Sequence, residues 1–421
     1  MLLEFKTKNY KSFVEEASFS MVAAPKQKGL DYSLMKTKIK GKEIKGLSSS
    51  VIYGPNAAGK TNIIGAMDVL RSIVLRGNIR NSEEKSSPNP AASALELIPN
   101  NNESEAKPVC FEIEFYEEDG EEHKFKIHYE LQIDLGTFLE EEYQRKILAE
   151  VLEVNGERVF ERREGLKVEN LKVIKDYLSD ITEQNAESIN EIAKNSLNQE
   201  ELFLTNGFKL IFSQKFTKLI VDWFANKFMV IYRADSMQLI KRFADPKKKA
   251  VYVEKTTDEA AKLFGINSNA VGYVVSDDEP DAKLYSVFKN MKDQKTTAVA
   301  ADIFESYGTI RFINMFPLVI KAMQTGGTLV VDEFDASIHP MALMSIINVF
   351  HNDDVNIHHA QLVFNTHNPI FLNSNLFRRD EIKFVERDDD THDSVLYALS
   401  DFGTTGDKGV RKHEDYMSKY F

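Results

Sequence analysis

Apolar positions along the chain change their period twice, and the changes divide it into thirds. Up to about residue 155 the period is mostly two. Leu3 and Phe5, then Phe13 and Phe19, mark short strands, and Ser50-Val51-Ile52-Tyr53 reads as a buried one. Ile63, Ala66, Leu70 and Ile73 then recur at helical spacing, so a helix is predicted from near Lys60. The stretch from Asn78 to Glu105, rich in Asn, Ser, Pro and Glu, predicts an exposed loop. Beyond it Val109, Phe111, Ile113 and Phe115 alternate with polar residues. Asp119-Gly120 supplies a turn, and Phe125, Ile127, Tyr129, Leu131 and Ile133 alternate again. That is the pattern of an antiparallel hairpin with one buried face. A third strand pair is predicted around Asn155-Gly156, with Val151 to Val154 before it and Arg158 to Phe160 after.

From about Leu166 to Ser286 the spacing turns helical, through Leu171, Ile174, Leu178, Ile181, Ile189 and Ile192, and Phe208 to Trp223 is its most apolar part. The sustained heptads of a coiled coil are missing, and no internal repeat is evident. The last third returns to α/β texture. A helix over Ile310, Ile313, Phe316, Ile320 and Met323 leads through Gly326-Gly327 to the strand Thr328–Val331. A second helix, the strand Leu362-Val363-Phe364 and a final strand from Glu381 to Glu386 follow. The expected class is therefore α/β, with residues 1–160 and 296–421 forming one head and 161–295 a helical insertion in it.

Composition narrows this picture without redirecting it. Hydrophobic content of 43% and charged content of 28% suit a globular protein. The single cysteine, Cys110, excludes an intramolecular disulfide framework and fits a reducing, cytoplasmic setting. No apolar run reaches the roughly 20 residues of a membrane helix, so no membrane partner is expected. A net charge of −12 argues against a surface that coats nucleic acid as a whole. Two local basic runs, Lys36, Lys38, Lys40, Lys42, Lys45 and Lys241, Arg242, Lys247, Lys248, Lys249, read as solvated faces.

The chemistry concentrates at two strand ends. Gly54-Pro55-Asn56-Ala57-Ala58-Gly59-Lys60-Thr61 directly follows the strand at 50–53 and, with Asn62, leads into the helix that starts near Lys60. Glycines there let backbone N–H groups wrap a polyphosphate, Lys60 reaches its outer phosphates, and the Thr61 hydroxyl suits Mg²⁺. The helix dipole acts on the same anion. The expected ligands are ATP and Mg²⁺. Far along the chain, the apolar strand 328–331 ends in Asp332-Glu333. Asp332 is placed to hold Mg²⁺ and Glu333 to polarise an attacking water, the remaining parts that phosphoryl transfer needs. Ser306-Tyr307-Gly308-Thr309 forms a small-residue turn into a helix, and Asn365-Thr366-His367-Asn368 follows a strand.

With that order of motifs the chain resembles ATP-binding-cassette ATPases, in particular the soluble SMC/RecF-like branch. Ser306 to Thr309 looks like its signature motif, Asp335 to Pro340 like its D-loop and His367 like its switch histidine. The closest resemblance is to RloA/AbiLi-type phage-defence ATPases, relatives of the OLD ATPase lobe and the PARIS ATPase AriA. It is carried by Phe5 to Phe13, Gly54 to Asn62, Leu329 to Pro340 and Leu399 to Phe402. The resemblance implies an ABC-type nucleotide-binding head, a mixed sheet plus an antiparallel β subdomain. It also implies a homodimer or higher oligomer in which Lys60, Thr61, Asp332, Glu333 and His367 of one copy face Ser306 and Gly308 of another across ATP. Two departures stand out: Tyr307 is bulky for its place in the signature, and no glutamine is assignable to the Q-loop, with Gln132 and Gln144 better read as strand or surface residues.

No second catalytic constellation is expected on the chain. Asp388-Asp389-Asp390 reads as a solvated acidic turn, because a Toprim nuclease would need a further glutamate on its own α/β unit. His351, His358 and His359 fit no common zinc spacing. The resemblance therefore implies an effector in trans, a nuclease or toxin, released or held in response to a DNA or phage-protein trigger. The 161–295 region and the basic loop 36–45 are the expected partner surfaces. The competing expectation is a RecF-like repair ATPase that binds duplex DNA, and a third is a scaffold that binds ATP and rarely turns over.

Overall fold

The computed structural model describes residues 1–402 other than 26, 28, 40, 82–94, 103–104, 121–122, 139, 141–142, 179–190, 192, 196, 233–269, 277–278, 290–295 and 337. In chain order the strands begin with β1 (Leu2–Lys8), β2 (Ala17–Ser20), β3 (Leu34–Ile39), β4 (Lys42–Leu47) and β5 (Ser49–Tyr53). Helix α1 (Lys60–Arg76) precedes β6 (Val109–Asp119), β7 (His123–Asp134), β8 (Lys146–Val154), β9 (Glu157–Arg162) and β10 (Leu166–Val168). After α2 (Gln214–Asp222) come β11 (Phe228–Ile231), β12 (Ala270–Ser276), β13 (Glu279–Lys289) and β14 (Thr296–Ala300). The C-terminal part carries α3 (Tyr307–Thr325), β15 (Thr328–Val331), α4 (Pro340–His351), β16 (Gln361–Asn365), β17 (Ile382–Arg387) and β18 (Ser394–Ala398).

Two sheets organise the head. A six-stranded sheet runs β11-β15-β16-β5-β17-β18, all parallel except the antiparallel edge strand β18. Strands β5, β15 and β16 are buried along their whole length, as strands covered on both faces must be. Their side chains alternate between two cores. Ile52, Val330, Val363 and Val385 pack with α1 residues such as Ile63, Met67 and Leu70 and with Phe111 and Phe115 of the second sheet. Val51, Tyr53, Leu329, Val331, Leu362 and Phe364 pack instead with Phe312 and Met315 of α3 and with Leu343 and Ile346 of α4. The second sheet is antiparallel, seven strands in the order β10-β9-β8-β7-β6-β1-β2. The result is the α/β arrangement expected of an ABC-type head.

The two sheets are pinned together by one buried amide. Gln361, at the start of β16, accepts from Leu2 N (2.6 Å) and from the Thr328 hydroxyl (2.8 Å). Its Nε2 donates to the carbonyls of Leu2 (3.1 Å) and Leu47 (2.9 Å). Gln361→Leu would fill the space but strip these backbone groups of their partner. We expect a loss of roughly 2–4 kcal/mol of stability, read from urea denaturation.

Several expectations are corrected by the fold. The antiparallel subdomain runs on through β9 and β10 to Val168 rather than stopping at 160. The region 161–295 is not simply helical. Phe228–Ile231 is an edge strand of the core sheet, and β12, β13 and β14 form a separate three-stranded antiparallel sheet, so the boundary at 295 falls just before one of its strands. A four-residue apolar run carries no period that separates strand from helix, and β-branched and aromatic residues at 271–275 favour extended backbone. Part of the predicted exposed loop is interior: Leu95, Leu97 and Asn100 are buried, Lys11 N donates to the Ile98 carbonyl, and the Asn100 amide donates to Lys11 O. The basic loop 36–45 is the β3–β4 hairpin, whose Lys36, Lys38, Lys42 and Lys45 are exposed. The second basic run lies outside the described residues.

Candidate functional site

Parallel strands β5, β15 and β16 all end on the same edge of the sheet, where open α/β sheets bind ligands. The turn from β5 into α1 is the glycine-rich loop. Ala57 (φ 62°) and Gly59 (φ 110°) take left-handed conformations that turn backbone N–H groups inward. A side chain at Gly59 would meet Ser394 Oγ at 2.6 Å and Ser12 Oγ at 2.8 Å, and one at Gly54 would run into the Val385 carbonyl. Glycine is therefore required by close approach as well as by φ.

Residues far away in sequence hold this loop, and none was among the sequence candidates. Ser394 Oγ donates to the Ala58 carbonyl (2.6 Å) and lies 2.7 Å from Ser12 Oγ, which accepts from the Asn62 amide (2.8 Å). The Arg387 guanidinium reaches the Ala57 carbonyl (3.4 Å). For Ser12 there was a signal, since it lies in the opening segment that carried the resemblance. Ser394 and Arg387 flank the acidic turn, which the β17–β18 connection exposes. There Asp388 accepts from the backbone of Asp390 (2.9 Å) and Thr391 (2.8 Å), and these bonds lower its pKa.

The cavity above the loop, about 180 Å³, is lined by Asn56 to Asn62 together with Glu333, Asn365 and His367. Three distant segments are thus brought to one place. Lys60 is buried, and its ammonium donates to the carbonyls of Gly54 and Pro55, 2.8 Å each. Burial lowers its pKa to about 8 against the opposing pull of Asp332, Glu333 and Asp335. The Thr61 hydroxyl donates to Asp332 Oδ1 (3.1 Å), so a hydroxyl and a buried carboxylate converge as an oxygen pair. Such a pair fits Mg²⁺, which takes few protein ligands and completes its shell with water and phosphate oxygens. His367 reaches solvent at the cavity rim. Burial of its inner edge, and then the nearby Lys60 ammonium, lower its pKa, which favours the neutral ring.

Glu333 differs from its neighbours in backbone. Its φ of 51° is left-handed, a conformation that costs a non-glycine residue about 1–3 kcal/mol and that clusters at functional sites. Its side chain is exposed into the cavity. Asn365, at the end of β16, accepts from Glu333 N (2.5 Å) and donates to Asp332 Oδ1 (2.6 Å). Arg311, buried on α3, donates to the Glu333 carbonyl (2.6 Å). Next along the chain, the Thr366 hydroxyl donates to Asp335 (2.5 Å), tying the D-loop candidate to the His367 segment.

Two predicted residues stand apart. Ser306 caps α3, accepting from Thr309 N (3.1 Å), and is exposed. Neither it nor Gly308 lines the cavity. Gln132 lies in β7 with its amide on Glu130 (2.7 Å), and Gln144 is exposed before β8. His351 is buried against Ser49 Oγ (2.7 Å), whereas His358 and His359 are exposed.

Residues 49–373, which contain every part of this cavity, match the family described as "AAA domain, putative AbiEii toxin, Type IV TA system". The chain belongs to this AAA-domain family. An AAA-domain protein with this loop and this Asp-Glu pair is an ATP-binding ATPase. No curated protein matches the sequence. Among solved structures it is similar to an SMC head domain from Thermotoga maritima, at 14% identity over 94% of this chain and 98% of that one, with a TM-score of 0.38. That likeness is loose, and the fold assignment stands on the sheet topology alone. Among the described residues no helix of this AAA-domain protein is long and apolar enough to cross a membrane.

The buried lysine gives the AAA-domain site a pH signature. A polyphosphate favours the charged ammonium, so above about pH 8 the free protein must take up a proton on binding. We expect ATP affinity to be flat below pH 8 and to weaken by up to about tenfold per pH unit above it, measured by fluorescent-nucleotide titration.

Proposed function

We propose that the protein hydrolyses ATP at a site shared by two copies, and that the closed dimer switches a separate effector in antiviral defence. The observation that carries the reading is the separation of Ser306 from the cavity. Lys60, Thr61, Asp332, Glu333 and His367 form one wall, while Ser306, exposed, and Gly308, half-buried, sit at the start of α3 outside the cavity lining. The first N–H groups of a helix have no partner within it and suit an anion brought by another molecule. Large apolar side chains surround that turn: Ile303, Phe304 and Tyr307 are 78%, 54% and 50% exposed. Such surface is ordinarily covered in an assembly.

In this mechanism Lys60 and the loop N–H groups bind and orient the phosphates, and Glu333 takes the proton of the attacking water. His367 donates a hydrogen bond as a neutral ring. Thr61 and Asp332 would hold Mg²⁺, which would supply charge neutralisation of the phosphates. Loss of the γ-phosphate removes the contacts that bridge the copies, so hydrolysis opens the dimer.

The defence role and the trans effector draw support from the toxin–antitoxin wording of the family description and from the resemblance of the motifs to phage-defence ATPases. The test is affinity purification of the protein with its neighbouring gene products from cells, with and without Lys60→Ala. A nuclease or toxin that co-purifies and changes its occupancy with Lys60→Ala is expected. Salt-sensitive, ATP-stimulated binding of duplex DNA by the protein alone, with no co-purifying effector, would point instead to repair.

A further inference from the structure

We infer that Asn365 and Arg311 are positioning residues that clamp the backbone of Glu333 from both sides and thereby aim its carboxylate at the attacking water. The inference rests on the hydrolytic reading above and gives a role to two residues that had none. Glu333 holds a left-handed φ of 51° although it is not a glycine, and only its surroundings can impose that. Its N–H donates to Asn365 Oδ1 at 2.5 Å, and its carbonyl accepts from Arg311 at 2.6 Å. These two bonds fix the peptide planes on either side of its Cα, so they fix the direction in which Cβ leaves the chain. Both clamping side chains are buried, at 1% and 3% exposure, so water does not replace them freely.

The Asn365 amide has a second task. Its Nδ2 donates to Asp332 Oδ1 at 2.6 Å, the same oxygen that accepts from the Thr61 hydroxyl. One side chain therefore sets the spacing between Asp332, the acid that would hold Mg²⁺, and Glu333, the acid that would activate water. Asn is suited to this because its amide offers a donor and an acceptor in one plane. The neighbouring chain order explains the placement: Asn365 pairs with Ile52 in register, which brings the end of β16 level with the entry to the phosphate loop. His367 follows two residues later, so the same strand end delivers both the clamp and a cavity wall.

A clamp that acts through Glu333 predicts a particular pattern of kinetics. Asn365→Ala should lower kcat by about 30- to 100-fold, the cost of misplacing a reacting group by about an ångström, with the dissociation constant for ATP within about threefold of wild type. Arg311→Lys, which keeps a donor for the Glu333 carbonyl, should lose less kcat than Arg311→Met, and it serves where Asn365→Ala folds poorly. The deciding measurement is single-turnover hydrolysis of radiolabelled ATP in the Glu333→Gln background. There the addition of Asn365→Ala should cost at least about tenfold less than it does in the wild-type background, because the group it positions has already been removed and only its bond to Asp332 is still lost. An equal fractional loss in both backgrounds, or Asn365→Ala turning over at the wild-type rate, overturns the clamp and leaves the hydrolytic reading intact. A Glu333→Gln variant as fast as wild type overturns both.

Discussion

Replacing Glu333 by Gln is expected to leave ATP binding within a few-fold of wild type and to lower turnover by about 10²–10⁴-fold, the usual contribution of a positioned general base. The substitution keeps size and the backbone bonds to Asn365 and Arg311, since both bonds use main-chain atoms. It removes only the carboxylate that lines the cavity. In the shared-site account the unhydrolysed γ-phosphate then goes on bridging two copies, so the variant accumulates as a dimer in ATP. Steady-state phosphate release together with nucleotide titration checks the first part. Weakened binding with unchanged kcat would instead assign Glu333 to substrate binding.

Replacing Lys60 by Ala is expected to abolish useful nucleotide binding, by about 10³-fold or more, through loss of a charge-assisted contact to phosphate in a buried setting. It should do so without harming the fold. The folded-state pKa of about 8 lies below the ordinary 10.5, so folding favours the neutral amine. The sign of the linkage follows: stability tied to this group is fully present above pH 10.5 and is lost as pH falls through about 8. At pH 7 the charged lysine opposes folding, and Lys60→Ala should melt no lower than wild type while failing to bind ATP. Thermal melts with and without nucleotide separate the two effects. A variant that melts far below wild type would show that the bonds from Lys60 to Gly54 and Pro55 brace the loop.

How much of this was visible in the sequence depends on how local each determinant is. Strand β15 and the loop Gly54–Thr61 were legible because a buried parallel strand and a phosphate loop are written in consecutive residues. The β6–β7 hairpin was legible because its period-two pattern is long. Phe228–Ile231 was not, because four apolar residues have no period, and it becomes a strand only by pairing with β15 a hundred residues on. The same holds at the site. Lys60, Asp332, Glu333 and His367 carry their chemistry in short motifs, and the structure gathers them around one cavity or beside it. Ser394, Arg387 and Arg311 are common polar residues outside any motif, and Ser12 and Asn365 lie in segments that stood out without their own roles being legible. Their roles exist only once the segment after β1, the ends of β16, β17 and β18, and α3 close on the loop and on the Asp-Glu turn, which is tertiary information. Ser306 lies between these cases: its turn is legible, but in this structure it caps α3 and takes no part in the cavity lining.

In the proposed dimer, Ser306 of one copy completes the ATP site of another. The most direct test is the molar mass of Glu333→Gln by light scattering in ATP, compared with the same variant carrying Ser306→Arg. A shared site gives a doubled mass for the single variant and a monomer mass for the double variant, although the double variant still binds ATP. A mass for Glu333→Gln that ATP leaves unchanged, or a doubling that survives Ser306→Arg, would contradict it.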